Sequence, residues 1–131
     1  MFVDASAIVA MMTNESDAAS LSARLMEATS RSTSPMALWE ASVAYSRISG
    51  VESKAALREV EAYIRSLEIE VIAISPAATA AAVEAYQRYG KGRHPAGLNF
   101  GDCFAYACAR HLDVPLLYKG DDFSQTDIET A

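Results

Sequence analysis

The chain alternates short runs in which nearly every residue is apolar with longer stretches in which apolar residues recur at helical spacing. Met1-Phe2-Val3 opens it as a short strand, and Asp4-Ala5-Ser6-Ala7 starts a helix to about Met12. Leu21, Leu25 and Met26 share one face of a second helix, Asp17 to Thr29. Ser34-Pro35 signals the next start, with serine as N-cap and proline at the first helical position. That helix runs to about Ser49 and stops at Gly50. Leu57, Val60, Ile64 and Leu67 put an amphipathic helix over Glu52 to Leu67, and the β-branched stretch Ile69 to Ile74 predicts a strand. Ser75-Pro76 predicts the cap of a helix ending at Gly90. A loop from Lys91 to Leu98, a helix from about Asn99 to Leu112, a strand at Pro115 to Tyr118 and a polar tail complete the chain.

Strands separated by helices imply βαβ units, hence a parallel sheet covered by helices. In such sheets ligands bind beyond the carboxyl ends of the strands. The 131 residues suit a single domain, 1–131, and 51% hydrophobic residues supply its core. No apolar run approaches the roughly 20 residues of a membrane span, and the N-terminus lacks the basic start of a signal peptide. A cytoplasmic protein is expected.

Charge changes the picture more than composition does. A net charge of -6 argues against gripping nucleic acid by bulk electrostatics. It leaves open a phosphodiester bound through metal ions that carboxylates hold. Cys103 and Cys108, five apart in a helix, point roughly 140° from each other. They form neither a disulfide nor a zinc clip and suit buried positions. His94 and His111 have no partner at metal-site spacing.

The informative feature is where charges are missing. Asp4 is the only charged side chain from Met1 to Asn14, Glu40 is alone from Ser32 to Ser46, and Asp102 is alone from Pro95 to Ala109. A carboxylate in an apolar segment is costly unless it is paired, hydrogen-bonded or bound to metal. Asp4 ends the first strand, Asp102 lies in the first turn of its helix, and Asp121-Asp122 follow the last strand. If the strands of Asp4 and Asp121 are neighbours, these acids meet at the carboxyl edge of the sheet. Such a cluster favours a hard, oxygen-seeking ion, Mg²⁺ or Mn²⁺. Each acid also has a plainer role: Asp4 as an N-cap, Asp102 in a capping box with Asn99, Asp121 and Asp122 as turn formers. Glu40, beside Trp39 in mid-helix, has no capping role.

At these residues the chain resembles the PIN-domain ribonucleases, specifically the VapC-type toxins of bacterial toxin–antitoxin pairs. The resemblance spans essentially the whole chain. It rests on Val3-Asp4-Ala5-Ser6-Ala7, on Ala37-Leu38-Trp39-Glu40-Ala41, on Leu98-Asn99-Phe100-Gly101-Asp102-Cys103, and on Leu116 to Phe123 with Thr126-Asp127-Ile128. One departure stands out: many relatives carry Thr or Ser two residues before the fourth acid, where this chain has Tyr118 and Gly120. Which of Asp121 and Asp122 completes the site stays open.

The resemblance implies an α/β, three-layer PIN-like fold, with a parallel sheet of four to five strands covered by about seven helices. It implies metal-dependent endoribonuclease activity, with Asp4 and Asp102 holding Mg²⁺ or Mn²⁺ and Glu40, with Asp121 or Asp122, orienting or deprotonating water. It further implies an RNA substrate, a small cognate antitoxin inserting a peptide near the acids, and a homodimer. Lys91 and Arg93, in a basic Gly-rich loop, and Lys119 are candidates for RNA contact. Ser6 could bond a carboxylate or phosphate, or simply face solvent. The rival readings are a non-catalytic PIN-like binding module and a phospho-acceptor receiver domain. A receiver needs an acidic pair after its first strand, where Asp4 stands alone.

Overall fold

The computed structural model describes residues 1–131. Four two-residue strands, β1 (Phe2–Val3), β2 (Ser32–Thr33), β3 (Glu70–Val71) and β4 (Leu116–Leu117), form one sheet in the order β3-β2-β1-β4, with every pairing parallel. Six α-helices connect and cover them: α1 (Ala5–Met12), α2 (Ala18–Glu27), α3 (Pro35–Ser49), α4 (Ser53–Ser66), α5 (Ala78–Tyr89) and α6 (Phe100–Leu112). The seventh helical segment is a 3₁₀ turn, Phe123–Gln125. No helix is long and apolar enough to cross a membrane.

Strand β1 is central, with Phe2 opposite both Ser32 and Leu116 and Val3 opposite Leu117. Successive side chains leave opposite faces of a strand, so β1 divides the core. Phe2 and Leu116 pack with Ala82, Ala85, Leu98 and Tyr106 beneath α5 and α6. Val3 and Leu117 pack with Ile8, Leu21, Leu25 and Val60 among α1, α2 and α4. Helices on both faces explain why both residues of β1 and of β4 are fully buried and apolar.

Several boundaries differ from the pattern. Strand β2 escaped it, because Ser32-Thr33 carries no apolar signal. Thr33 is nonetheless fully buried, its hydroxyl donating to the Val3 carbonyl at 2.8 Å, so a hydrogen bond replaces an apolar contact. The stretch Ile69 to Ile74 pairs only at Glu70–Val71, an exposed edge. Ser75 does not cap α5. Its hydroxyl accepts from Ala77 N–H at 3.3 Å and its carbonyl from Ala78 N–H at 2.9 Å, a local turn that delays the helix to Ala78. The α3 signals hold: Ser34 Oγ accepts from Ala37 N–H at 3.1 Å, and Gly50 closes the helix at φ 74°. Cys103 and Cys108 are free and buried.

Candidate active site

The site is assembled where β1 and β4 end. The Asp4 N–H donates to the Leu117 carbonyl at 2.9 Å, which carries the aspartate to the sheet's carboxyl edge. Its side chain is buried, and Oδ2 accepts from both the Ser6 N–H (2.9 Å) and the Ser6 hydroxyl (2.5 Å). Asp4 is therefore both the N-cap of α1 and a member of the acidic group. Ser6 Oγ in turn accepts from the Lys119 N–H at 3.0 Å, tying the end of β4 to the start of α1. Of the two roles open to Ser6, the carboxylate partner is the one adopted.

Asp102 likewise has two roles. In a capping box, its Oδ2 accepts from the Asn99 N–H at 2.8 Å, while Asn99 Oδ1 accepts from the Asp102 N–H at 3.0 Å. Glu40 reaches from the middle of α3 to the first turn of α6. Its carboxylate lies against Gly101, in the space a β-carbon there would fill. Asp4, Glu40 and Asp102 line one pocket of about 280 Å³, together with Ser6, Glu15 and Lys119.

The electrostatics follow from that convergence. Burial pushes the Asp4 carboxyl up, opposed by its bonds from Ser6. Burial also raises Glu40, to about 7, with further increments from the charges of Asp4 and Asp102. Asp102 is pushed up to about 6, chiefly by burial; the Asn99 N–H opposes the rise, and Asp4 and Asp122 add to it. Burial in the pocket sets this pattern, the neighbouring acids add to it at Glu40 and Asp102, and such shifts are common at functional sites.

The remaining sequence candidates are placed differently. Asp121 and Asp122 are both exposed. Asp122 is the one whose charge acts on Asp102, whereas Asp121 faces a separate groove with Asp17 and Arg24. Lys119 lies at the pocket with its ammonium bonded to Glu15 and 3.8 Å from Asp17. Lys91 and Arg93 are exposed on the loop after α5, away from the acidic pocket, and Arg93 stacks over Tyr86 at 5.2 Å. Asp127 accepts from Tyr106 Oη at 2.6 Å and from Arg88 at 3.2 Å, which fastens the C-terminal segment to α5 and α6. A larger groove of about 410 Å³ between α5 and α6, lined by Val83, Tyr86, Phe100 and Phe104, holds no acid.

The PIN domain model matches residues 1–129. Ribonuclease VapC30 of Mycobacterium tuberculosis is 38% identical over 131 residues, spanning 100% of this chain and 98% of that protein. The chain belongs to the PIN-domain VapC ribonucleases. Ribonuclease VapC of Mycolicibacterium smegmatis is 38% identical over 128 residues, covering 98% of this chain and 97% of the relative. The crystal structure of Mycobacterium tuberculosis VapC20, a sarcin–ricin loop cleaving toxin, superposes with a TM-score of 0.74 at 19% identity. That match covers 99% of this chain and 97% of the other and establishes the shared fold. The endoribonuclease expected from the four motifs is thus a family property of this VapC chain, and the receiver reading falls away.

Gly101 and Glu15 line or shape the pocket without standing out in the sequence as site residues. Glu15 carried no signal, because it lies in the polar run Thr13-Asn14-Glu15-Ser16-Asp17 after α1. The signal for Gly101 was a glycine inside a helix, a costly placement that invites a reason.

Proposed function

We propose that this VapC-family ribonuclease hydrolyses RNA at the Asp4–Glu40–Asp102 pocket with the aid of Mg²⁺ or Mn²⁺. The observation that carries the reading is the convergence of three carboxylates, isolated in the sequence, on one pocket at the carboxyl edge of the sheet. The donor set fits a hard divalent cation in kind, since carboxylates and the Ser6 hydroxyl supply oxygens, no thiol or imidazole lines the pocket, and the Lys119 ammonium is paired with Glu15. No three acidic, histidine or cysteine side chains stand at coordination spacing, so the carboxylates would close on the ion by side-chain rotation. Asp4 and Asp102 are the residues to hold it, with Asp122 assisting from the neighbouring turn. Bound there, the ion would polarise the scissile phosphate and offset the charge that grows on it.

The protein's own groups supply the rest. Glu40 shares the pocket with Asp4 and Asp102, where its carboxylate would take a proton from the attacking water. The water oxygen forms the new bond to phosphorus, the bond from phosphorus to the 3′ oxygen breaks, and that oxygen takes up a proton. The products are a 5′-phosphate and a 3′-hydroxyl. Ser6 and the Asn99 N–H each bond one oxygen, Oδ2, of Asp4 and of Asp102, which limits how far either carboxylate turns as the ion binds. Lys119, Lys91 and Arg93 contribute to RNA contact, Lys119 by exchanging its Glu15 partner for a phosphate. A small antitoxin would silence the site by inserting a peptide beside the acids, with an arginine suited to pair with them. A second copy of the chain would cover exposed apolar side chains such as Val83 and Phe100.

The test is cleavage of a total RNA preparation by purified protein with Mg²⁺, with Mn²⁺ and with EDTA, beside Asp4→Asn and Asp102→Asn. Discrete 5′-phosphorylated fragments are expected, lost with EDTA and in both variants. Folded wild type that cuts nothing with either metal would point to a binding module instead.

A further inference from the structure

Glycine is a poor residue for the first turn of a helix, because it forgoes the conformational restriction that a side chain supplies. Position 101 is buried at the second residue of α6, where helix propensity favours alanine. The reason for the glycine lies across the interface with α3. A β-carbon built at Gly101 would overlap both carboxylate oxygens and Cδ of Glu40. Gly101 has none of the left-handed backbone that forces glycine at Gly50, Gly92, Gly97 and Gly120. Its glycine is therefore set by space. The space it leaves is occupied by the terminal atoms of one flexible side chain, not by backbone.

That distinction decides what a β-carbon would do. Glu40 has rotatable bonds and can swing aside, so the fold survives and the carboxylate moves. We infer that Gly101 is a positioning residue: its missing side chain seats the Glu40 carboxylate against α6, beside Asp102. The inference rests on the ribonuclease reading of the pocket and names one further determinant of it. Gly101 touches neither substrate nor reacting atoms and acts entirely through Glu40.

The experiment compares wild type, Gly101→Ala, Glu40→Asp and the double variant in the RNA cleavage assay, with wild-type cleavage established first. If wild type cuts nothing, the ribonuclease reading fails, and Gly101 is judged by melting alone, as below. With active wild type, Gly101→Ala is expected to lower kcat at least 10-fold with KM little changed, because RNA binding does not depend on where Glu40 points. On its own, Glu40→Asp withdraws the carboxylate by one methylene and lowers kcat. Combined with Gly101→Ala, the same shortening relieves the overlap. The double variant should then cleave better than the product of the two single losses predicts.

Independent, multiplicative losses would overturn the positioning role, as would wild-type kcat in Gly101→Ala. Thermal melts keep the inference testable should Gly101→Ala fold poorly or the wild type prove inactive. In a Glu40→Ala background the space is vacated, and Gly101→Ala should melt at least as high as Glu40→Ala alone. A lower melting temperature there, equal to the drop seen with Glu40 present, would make Gly101 a residue of the fold and overturn the inference.

Discussion

Glu40→Gln is the substitution that most directly tests the electrostatics of the pocket. The side chain keeps its size and loses its charge. In the folded protein the carboxyl rises from its ordinary 4.5 to about 7, by burial and by the charges of Asp4 and Asp102. At 1.36 kcal/mol per unit, ionising Glu40 above pH 7 costs the fold about 3 kcal/mol relative to the unfolded chain. Partial exposure screens this to roughly 1–3 kcal/mol. The sign follows from proton binding. Between 4.5 and about 7 the folded state holds the proton and the unfolded state has released it. Stability therefore falls as pH rises through that window, and the penalty is complete only above it. Metal-free Glu40→Gln should be more stable than wild type to urea at about pH 8 by this amount. The advantage should shrink as pH falls through about 7 and vanish near about pH 4. Activity should be lost in the same variant. A variant equally destabilised at both pH values would refute the reasoning, because the pocket would then impose no charge penalty on Glu40.

Three further outcomes follow from the same geometry. Mg²⁺ or Mn²⁺ should raise the melting temperature of wild type, by about 2.7 kcal/mol of stability at a concentration about 100 times Kd, and not that of Asp4→Asn. Unchanged melting of wild type would count against a metal held by these acids. Ser6→Ala removes the hydroxyl that serves both Asp4 and the Lys119 N–H. It should cost about 1–3 kcal/mol in a urea titration and raise the Asp4 carboxyl further; a neutral result would mean water replaces the hydroxyl. Lys119→Ala should cost only about 0.5–1 kcal/mol, because the Lys119–Glu15 pair is one-third exposed, and the difference should narrow in high salt. A larger, salt-insensitive loss would show that Lys119 acts through packing.

Isolation in apolar segments singles out Asp4, Glu40 and Asp102, which the fold brings to one pocket, because an unpartnered buried charge is too costly to stand without a reason. Helical periodicity and cap residues placed α3, α4 and α6 within a residue or two, since both signals are written locally. The tertiary structure decided what depends on neighbours distant in the chain. Strand β2 forms by backbone pairing with β1 and β3, and the Thr33 hydroxyl is satisfied by the Val3 carbonyl, contacts that no pattern within Ser32-Thr33 announces. Asp122, and not Asp121, acts on Asp102 because of the turn after β4, while Lys119 directs its charge to Glu15. Glu40 faces Asp4 and Asp102 only because α3 and α6 meet where α6 has no side chain. Local chemistry selects which residues need partners, and only the packed chain determines which partners they find.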